Sequence, residues 1–239
     1  MNSETAATPA GMPLAYQQGW QDFYGRRFKV DERVLIPRPE TEIVIDMVLD
    51  LAGMAYLPGV APRKRVLKHR PVIWDIGTGS GCVAVTLALE LPEAQVVAVD
   101  ISPEALVVAR ENARRLGVAD RGGTGVEFVQ ADLLEFAAAE APDVIVANLP
   151  YVSRDWDWTS PGLKYEPKIA LFAADGGLEL IKRLLVQLSK QGWQHEHYLI
   201  LEADPCQHGE IIEFAGRHGY SHAETRNYQL LFSSDKTQA

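Results

Sequence analysis

The chain has 239 residues, 47% of them hydrophobic and 23% charged, a composition inside the globular range and far from disordered or collagen-like chains. Lys and Arg number 23 against 32 Asp and Glu, a formal net charge of -9, so general electrostatic attraction to nucleic acid is disfavoured and no stable nucleic-acid binding is expected. Two cysteines, Cys82 and Cys206, are too few for a disulfide scaffold and lack metal-ligand spacing. The first residues carry no signal-peptide pattern, and no apolar stretch approaches the roughly 20 residues that cross a bilayer. The sequence therefore reads as a cytoplasmic protein with no membrane association and no metal, built as one main domain with an appendage.

Residues 1–22 are expected to form a flexible tail or short helix, and residues 23–70 a β-hairpin, a helix and a linker. The segments FYGRRFKV and RVLIP read as two short strands around Asp31 and Glu32, ended by Pro37 and Pro39. A helix then begins near Glu40, because Ile43, Val44, Met47, Val48 and Leu51 recur at i, i+3 and i+4, with Thr41 or the preceding acid as its cap. Gly53 weakens its end. The connector LPGVAPRKRVLKHR follows; its basic run reads as solvated surface, the alternative being a patch for RNA or an acidic partner.

Residues 71–239 alternate strand and helix signals. PVIWDIG, AQVVAVDI, VEFVQAD, DVIVANLP and HYLILEAD are short Val- and Ile-rich runs, as expected of strands buried on both faces of a parallel sheet. Helices are expected over 82–91, 103–116, 177–191 and 205–218, the second with Ser102 as N-cap, Pro103 at N1 and Glu104 in the first turn. The tail SHAETRNYQLLFSS reads as two strands with no helix between them, which places an antiparallel strand at or near one edge. The fold class is α/β: a Rossmann-like, mostly parallel sheet with helices on both faces, preceded by a hairpin.

In such sheets ligands bind at the carboxyl ends of the strands. The first strand ends in Asp75-Ile76-Gly77-Thr78-Gly79-Ser80-Gly81, where glycines let the backbone turn sharply and approach a ligand. Asp100, followed by Ile101, ends the second strand, suited to both ribose hydroxyls of an adenosine cofactor; NAD and S-adenosylmethionine share that half. The loop is G-x-G-x-G rather than G-x-G-x-x-G, and the third strand ends at Asp132-Leu133, an acid where an adenine amino group could be held. The fourth strand ends in Asn148-Leu149-Pro150-Tyr151. The Asn148 side-chain oxygen and the Leu149 carbonyl suit acceptance from a planar NH2 group, Pro150 fixes the turn, and Tyr151 can pack on the planar group. His195 and His197 read as structural and Cys82 as packing.

FYGRRFKV, VLIPRPETE, DIGTGSG, VDIS, ANLPYV and YEPKIALFAADGGLELI, in this order, resemble the peptide chain release factor glutamine N5-methyltransferases of the class I S-adenosylmethionine-dependent enzymes. The resemblance runs from about Tyr24 to Phe232. It implies a seven-stranded class I methyltransferase sheet and methyl transfer from S-adenosylmethionine to the glutamine amide of the Gly-Gly-Gln motif in a translation release factor. It further implies that Gly77, Thr78, Gly79, Ser80 and Gly81 line the methionine part of the cofactor, Asp100 and Ile101 its ribose, and Asp132 with Leu133 its adenine. Arg38, Pro39, Glu40 and Thr41 would close the site, Asn148, Leu149, Pro150 and Tyr151 would orient the glutamine, and Glu166 would sit near it.

The chain departs from that family in two places. Only about twenty residues precede the hairpin, where the family carries a helical domain that grips the release factor, and Leu149 replaces the first proline of N-P-P-Y. N-L-P-Y also resembles ribosomal RNA adenine-N6 dimethyltransferases, so adenine-N6 transfer to RNA or DNA is the first alternative. A catalytically silent cofactor-binding partner protein is the second, and an NAD-dependent dehydrogenase the third. The particular release factor and the oligomeric state stay open.

Overall fold

The computed structural model describes residues 11–54, 66–118, 125–136, 138, 140–157 and 161–234. The first ten residues of the expected amino-terminal tail and most of the connector (55–65), with part of its basic run, lie outside the described residues, as does Trp158.

A short helix, α1 (Leu14–Gln18), leads into a hairpin of β1 (Trp20–Phe23) and β2 (Arg26–Lys29). This corrects the expected hairpin. Its turn is Tyr24-Gly25, with φ of 50° and 70°, the pattern of a two-residue turn that matches the twist of paired strands. RVLIP is no strand. Instead of pairing with FYGRRFKV it runs on as extended chain, and the Ile36 N–H is taken by a Glu166 carboxylate oxygen at 3.1 Å. After a 3-10 turn over Pro39–Thr41 comes α2 (Glu42–Leu51). Thr41 does not cap it: its side chain makes no bond to the helix and turns to the strand ends, accepting from Asn148.

The main sheet contains β3 (Val72–Ile76), β4 (Gln95–Asp100), β5 (Gly125–Gln130), β6 (Val144–Ala147), β9 (Tyr198–Glu202), β10 (Tyr220–Arg226) and β11 (Gln229–Ser234). They lie in the order β10-β11-β9-β6-β3-β4-β5, and β11 runs antiparallel to both its neighbours. The reversed strand thus lies one place in from the edge. Every residue of β3 and β6 is buried, while β5 at the other edge exposes Glu127, so burial on both faces holds for the centre of the sheet only. Helices α3 (Cys82–Glu90) and α4 (Pro103–Arg115) follow β3 and β4. Ser102 caps α4 as expected, its hydroxyl accepting from the Ala105 N–H at 3.1 Å. A two-stranded parallel pair, β7 (Val152–Ser153) with β8 (Phe172–Ala173), flanks α5 (Lys168–Leu171). Two further helices are α6 (Glu179–Ser189) and α7 (His208–Gly216).

Strand period two divides the core. Ile73, Val96, Ala98, Val144, Val146, Ile200 and Leu231 pack with α2, α3 and α4; Val72, Trp74, Val97, Ile145, Leu199 and Leu230 pack with α6 and α7. The same alternation, carried to the strand ends, sends Asp75, Asn148, Glu202 and Gln229 toward the α2 side. Among the described residues no helix is long and apolar enough to cross a membrane.

Candidate functional site

A cavity of ≈ 270 Å³ opens over the carboxyl ends of β3, β4, β5 and β6, roofed by the extended segment from Arg33 to Arg38. Buried strands end here because the glycine loop after β3 and the acids after β4 and β5 cannot continue an apolar layer. The Gly77 and Thr78 N–H groups both donate to the Val99 carbonyl, at 2.8 and 2.9 Å, pinning the loop to β4. Beneath it Asp75 accepts from the Thr78 hydroxyl at 2.6 Å and the Ala84 N–H at 3.1 Å. Burial raises the Asp75 pKa to about 7, against those two bonds.

At the end of β4, Asp100 accepts from the Gly79 N–H at 2.8 Å and the Ser102 N–H at 2.9 Å. Burial pushes its pKa up and those backbone donors pull it back. Ile101 beside it is 48% exposed and lines the cavity, an apolar wall left bare. Asp132 gives one carboxylate oxygen to Arg183 at 2.7 Å. A Cβ placed on Gly79 would meet nothing within 4 Å, so the loop leaves open space above its backbone.

At the end of β6, the Asn148 Nδ2 donates to Glu202 Oε1 at 2.8 Å and to Thr41 Oγ1 at 3.1 Å. The end of that amide left for a ligand is its oxygen. Glu202 is 2% exposed; burial raises its pKa, opposed by hydrogen bonds from Thr41, Gln229 and Asn148. The Tyr151 carbonyl accepts from Gln207 Nε2 at 2.8 Å, a group that also reaches the Gly176 carbonyl at 2.8 Å. Glu166, with its side chain 3% exposed, binds the roof twice: Oε2 accepts from the Ile36 N–H, and Oε1 pairs with Arg38 at 2.6 Å. Tyr16 adds a third tie, its hydroxyl donating to the Val34 carbonyl at 2.6 Å.

Residues 68–187 match the family model of a methyltransferase domain. A release factor glutamine methyltransferase from Koribacter versatilis is 44% identical over 188 residues, 77% of this chain and 59% of that protein. Another from Neisseria gonorrhoeae is 39% identical over 217 residues, 90% of this chain and 71% of that protein. The chain belongs to the release factor glutamine methyltransferase family. It spans little more than half the length of the Koribacter relative. The hMettl16 catalytic domain, solved in complex with a MAT2A 3'UTR hairpin, shares the fold at 17% identity, with a TM-score of 0.61 over 93% of this chain and 88% of that one.

In this family member the cavity gathers Arg38, Thr41, Gly77, Thr78, Gly79, Ser80, Asp100, Ile101, Asp132, Leu133, Asn148, Leu149 and Pro150. Pro39, Glu40, Gly81, Tyr151 and Glu166 stand outside its lining. Gly81 packs on α4, where an added Cβ would come within 3.0 Å of the Ala109 Cβ, and Glu40 offers its carbonyl to Gln229 at 2.8 Å. His197 shares a hydrogen bond with the Tyr220 hydroxyl at 2.7 Å, and burial pushes the Cys82 thiol up to about 12. Sequence reasoning named Asp75 without giving it a role, and missed Glu202, Gln207 and Gln229. An acid ending an apolar strand at the same sheet edge was the available signal for Asp75 and Glu202; the two glutamines carried none.

Proposed function

We propose that this protein transfers a methyl group from S-adenosylmethionine to the side-chain amide nitrogen of the glutamine in the Gly-Gly-Gln motif of a translation release factor. The family relationship supports the reaction, and the state of Asn148 carries the reading of the site. With both its amide hydrogens engaged by Thr41 and Glu202, Asn148 offers the cavity an acceptor, which an NH2 group needs and a carboxylate or carbonyl does not.

The residues present fit the cofactor. Asp100 keeps lone pairs beyond its backbone bonds for ribose hydroxyls, Asp132 keeps its second oxygen for an exocyclic amine, and Ile101 and Leu133 supply apolar walls for an adenine. The open space over Gly79 in the loop Gly77–Gly81 is room for a methionine moiety, and Arg38 and Thr41 reach the cavity from the roof side. The acidic Asp100 at the edge of the loop suits a cationic ligand. When bound, S-adenosylmethionine supplies an electrophilic methyl group on a sulfonium.

This chain's residues then act by positioning. An amide nitrogen is a weak nucleophile, so alignment and exclusion of water carry most of the rate. Asn148 Oδ1 and the Leu149 carbonyl accept from the substrate NH2, Pro150 stiffens the turn, and Tyr151, outside the cavity lining, anchors that turn through its carbonyl bond to Gln207. The methylated nitrogen releases one proton to water or to these accepting oxygens. Glu166 acts from behind the roof rather than on the substrate. In this reading residues 71–239 carry the cofactor-binding unit, and the segment 33–38 of the preceding part covers it.

Replacing Asn148 by Ala tests the assignment. Cofactor affinity by calorimetry should stay within a few-fold while transfer is lost; equal loss of both would refute the orienting role.

A further inference from the structure

The carboxylate of Glu202 has no role in the reaction as described, yet it is buried at the strand ends and joins four segments of the chain. Register explains the meeting. Glu202 is paired across the sheet with Gln229, the first residue of β11, and Ala147 with Leu201, so Asn148 follows beside Glu202 on the same face. Glu202 Oε1 accepts from Asn148 Nδ2 at 2.8 Å and Oε2 from Gln229 Nε2 at 2.9 Å. Gln229 cannot turn around, because the same Nε2 donates to the Glu40 carbonyl at 2.8 Å. Thr41 completes the set, its hydroxyl accepting from Asn148 and donating to Glu202, a group that can rotate to either role.

We propose that Glu202 is the positioning residue that fixes which end of the Asn148 amide faces the cavity, and thereby sets the site's preference for a substrate nitrogen bearing hydrogens. This rests on the glutamine reading given above. A carboxylate offers acceptors at both ends; the isosteric glutamine offers one. In E202Q the single oxygen is claimed by the fixed Gln229 donor, so the new NH2 faces Asn148. Asn148 then answers with its oxygen and turns its own NH2 toward the cavity. The site so altered would favour a carboxylate over an amide, with no change in shape. The double variant E202Q/Q229E reverses this: the residue at 229 now only accepts, the new amide at 202 turns its NH2 there, and its oxygen returns to Asn148.

Two measurements test this. The first needs no substrate. Asn2, Asn112, Asn148 and Asn227 are the only asparagines in the chain, so selective 15N labelling with N148A as reference identifies the Asn148 side-chain signal in the full-length protein. In the wild type its two protons should be protected from solvent exchange; exchange as fast as in an exposed asparagine overturns the proposal, and this arm does not depend on any variant folding. The second compares the KM of a release factor carrying Gly-Gly-Gln with the inhibition constant of its Gly-Gly-Glu form. The wild type should favour glutamine; E202Q should erode that preference by at least about 10-fold, as expected when a hydrogen-bonding end is exchanged. Its cofactor affinity should stay unchanged, and E202Q/Q229E should restore the preference in part. Unaltered preference in E202Q, or a double variant no better than E202Q, overturns it. Wild-type protein that transfers no methyl group to any Gly-Gly-Gln protein would refute the glutamine reading instead, with the labelling result standing on its own.

Discussion

Gly177 makes the sharpest structural prediction. It precedes α6 with a φ of 90°, and an added Cβ would lie 2.6 Å from the Tyr151 carbonyl carbon and 2.6 Å from Gln207 Nε2, closer still to the Tyr151 carbonyl oxygen. Carbon and oxygen rarely approach within ~3.3 Å, so the loop after β6 must retreat by roughly 1 Å or lose its bond to Gln207. The left-handed φ adds about 1–2 kcal/mol for any residue with a Cβ. A buried carbonyl and amide left without their partners add about 1–3 kcal/mol. Gly177→Ala should therefore cost roughly 2–5 kcal/mol in urea unfolding. Because Tyr151 is displaced, transfer should fall about 100-fold beyond any effect on folding, the usual consequence of a shift near 1 Å. Gly176→Ala is the control: its φ of 62° is also left-handed, but the added Cβ meets nothing within 4 Å, so it should cost only the backbone part. A Gly177→Ala protein as stable and active as Gly176→Ala would refute the reasoning.

Asp75 predicts a pH dependence of stability in the cofactor-free protein. Its pKa is raised from 3.8 to about 7 by burial, so between those values the native state holds a proton the unfolded chain has released. This group's contribution is complete below pH 3.8, falls as pH rises through that window, and is constant above it, a span of at most about 4 kcal/mol. Asp75→Asn should therefore gain stability relative to wild type between pH 4 and 8 in parallel urea titrations, and a flat difference would contradict the shift. Asp100→Ala should weaken cofactor binding by about 10–100-fold in calorimetry, the worth of hydrogen bonds to a charged group, while a turnover rate at saturating cofactor changes far less. Glu166→Ala leaves the Ile36 N–H and Arg38 without their partner, and should speed proteolysis of the segment 33–38 while raising the KM for cofactor.

Much of this was legible in the chain. The central strands were found because burial on both faces demands continuous Val and Ile, and Ser102-Pro103-Glu104 announced the start of α4 because each residue answers a separate need of a helix N-terminus. The hairpin was misplaced because two β-prone segments do not reveal which turn joins strands; Tyr24-Gly25, with positive φ at both residues, decided it. Thr41 looked like a cap because its alternative partner, Asn148, is 107 residues away. Glu202 and Gln207 escaped for the same reason, their bonds to Asn148 and Tyr151 spanning 54 and 56 residues. The strand ends were readable one at a time; their cross-linking depends on sheet order, which no local pattern carries.

The central claim is most directly tested by incubating the purified protein with labelled S-adenosylmethionine and a release factor, beside a copy whose Gly-Gly-Gln glutamine is replaced by alanine, and locating the methyl group by mass spectrometry. One methyl group on the glutamine side-chain nitrogen, absent from the alanine copy, is the predicted result. Label on an adenine of RNA or DNA, or cofactor binding with no transfer to any Gly-Gly-Gln protein, would contradict it.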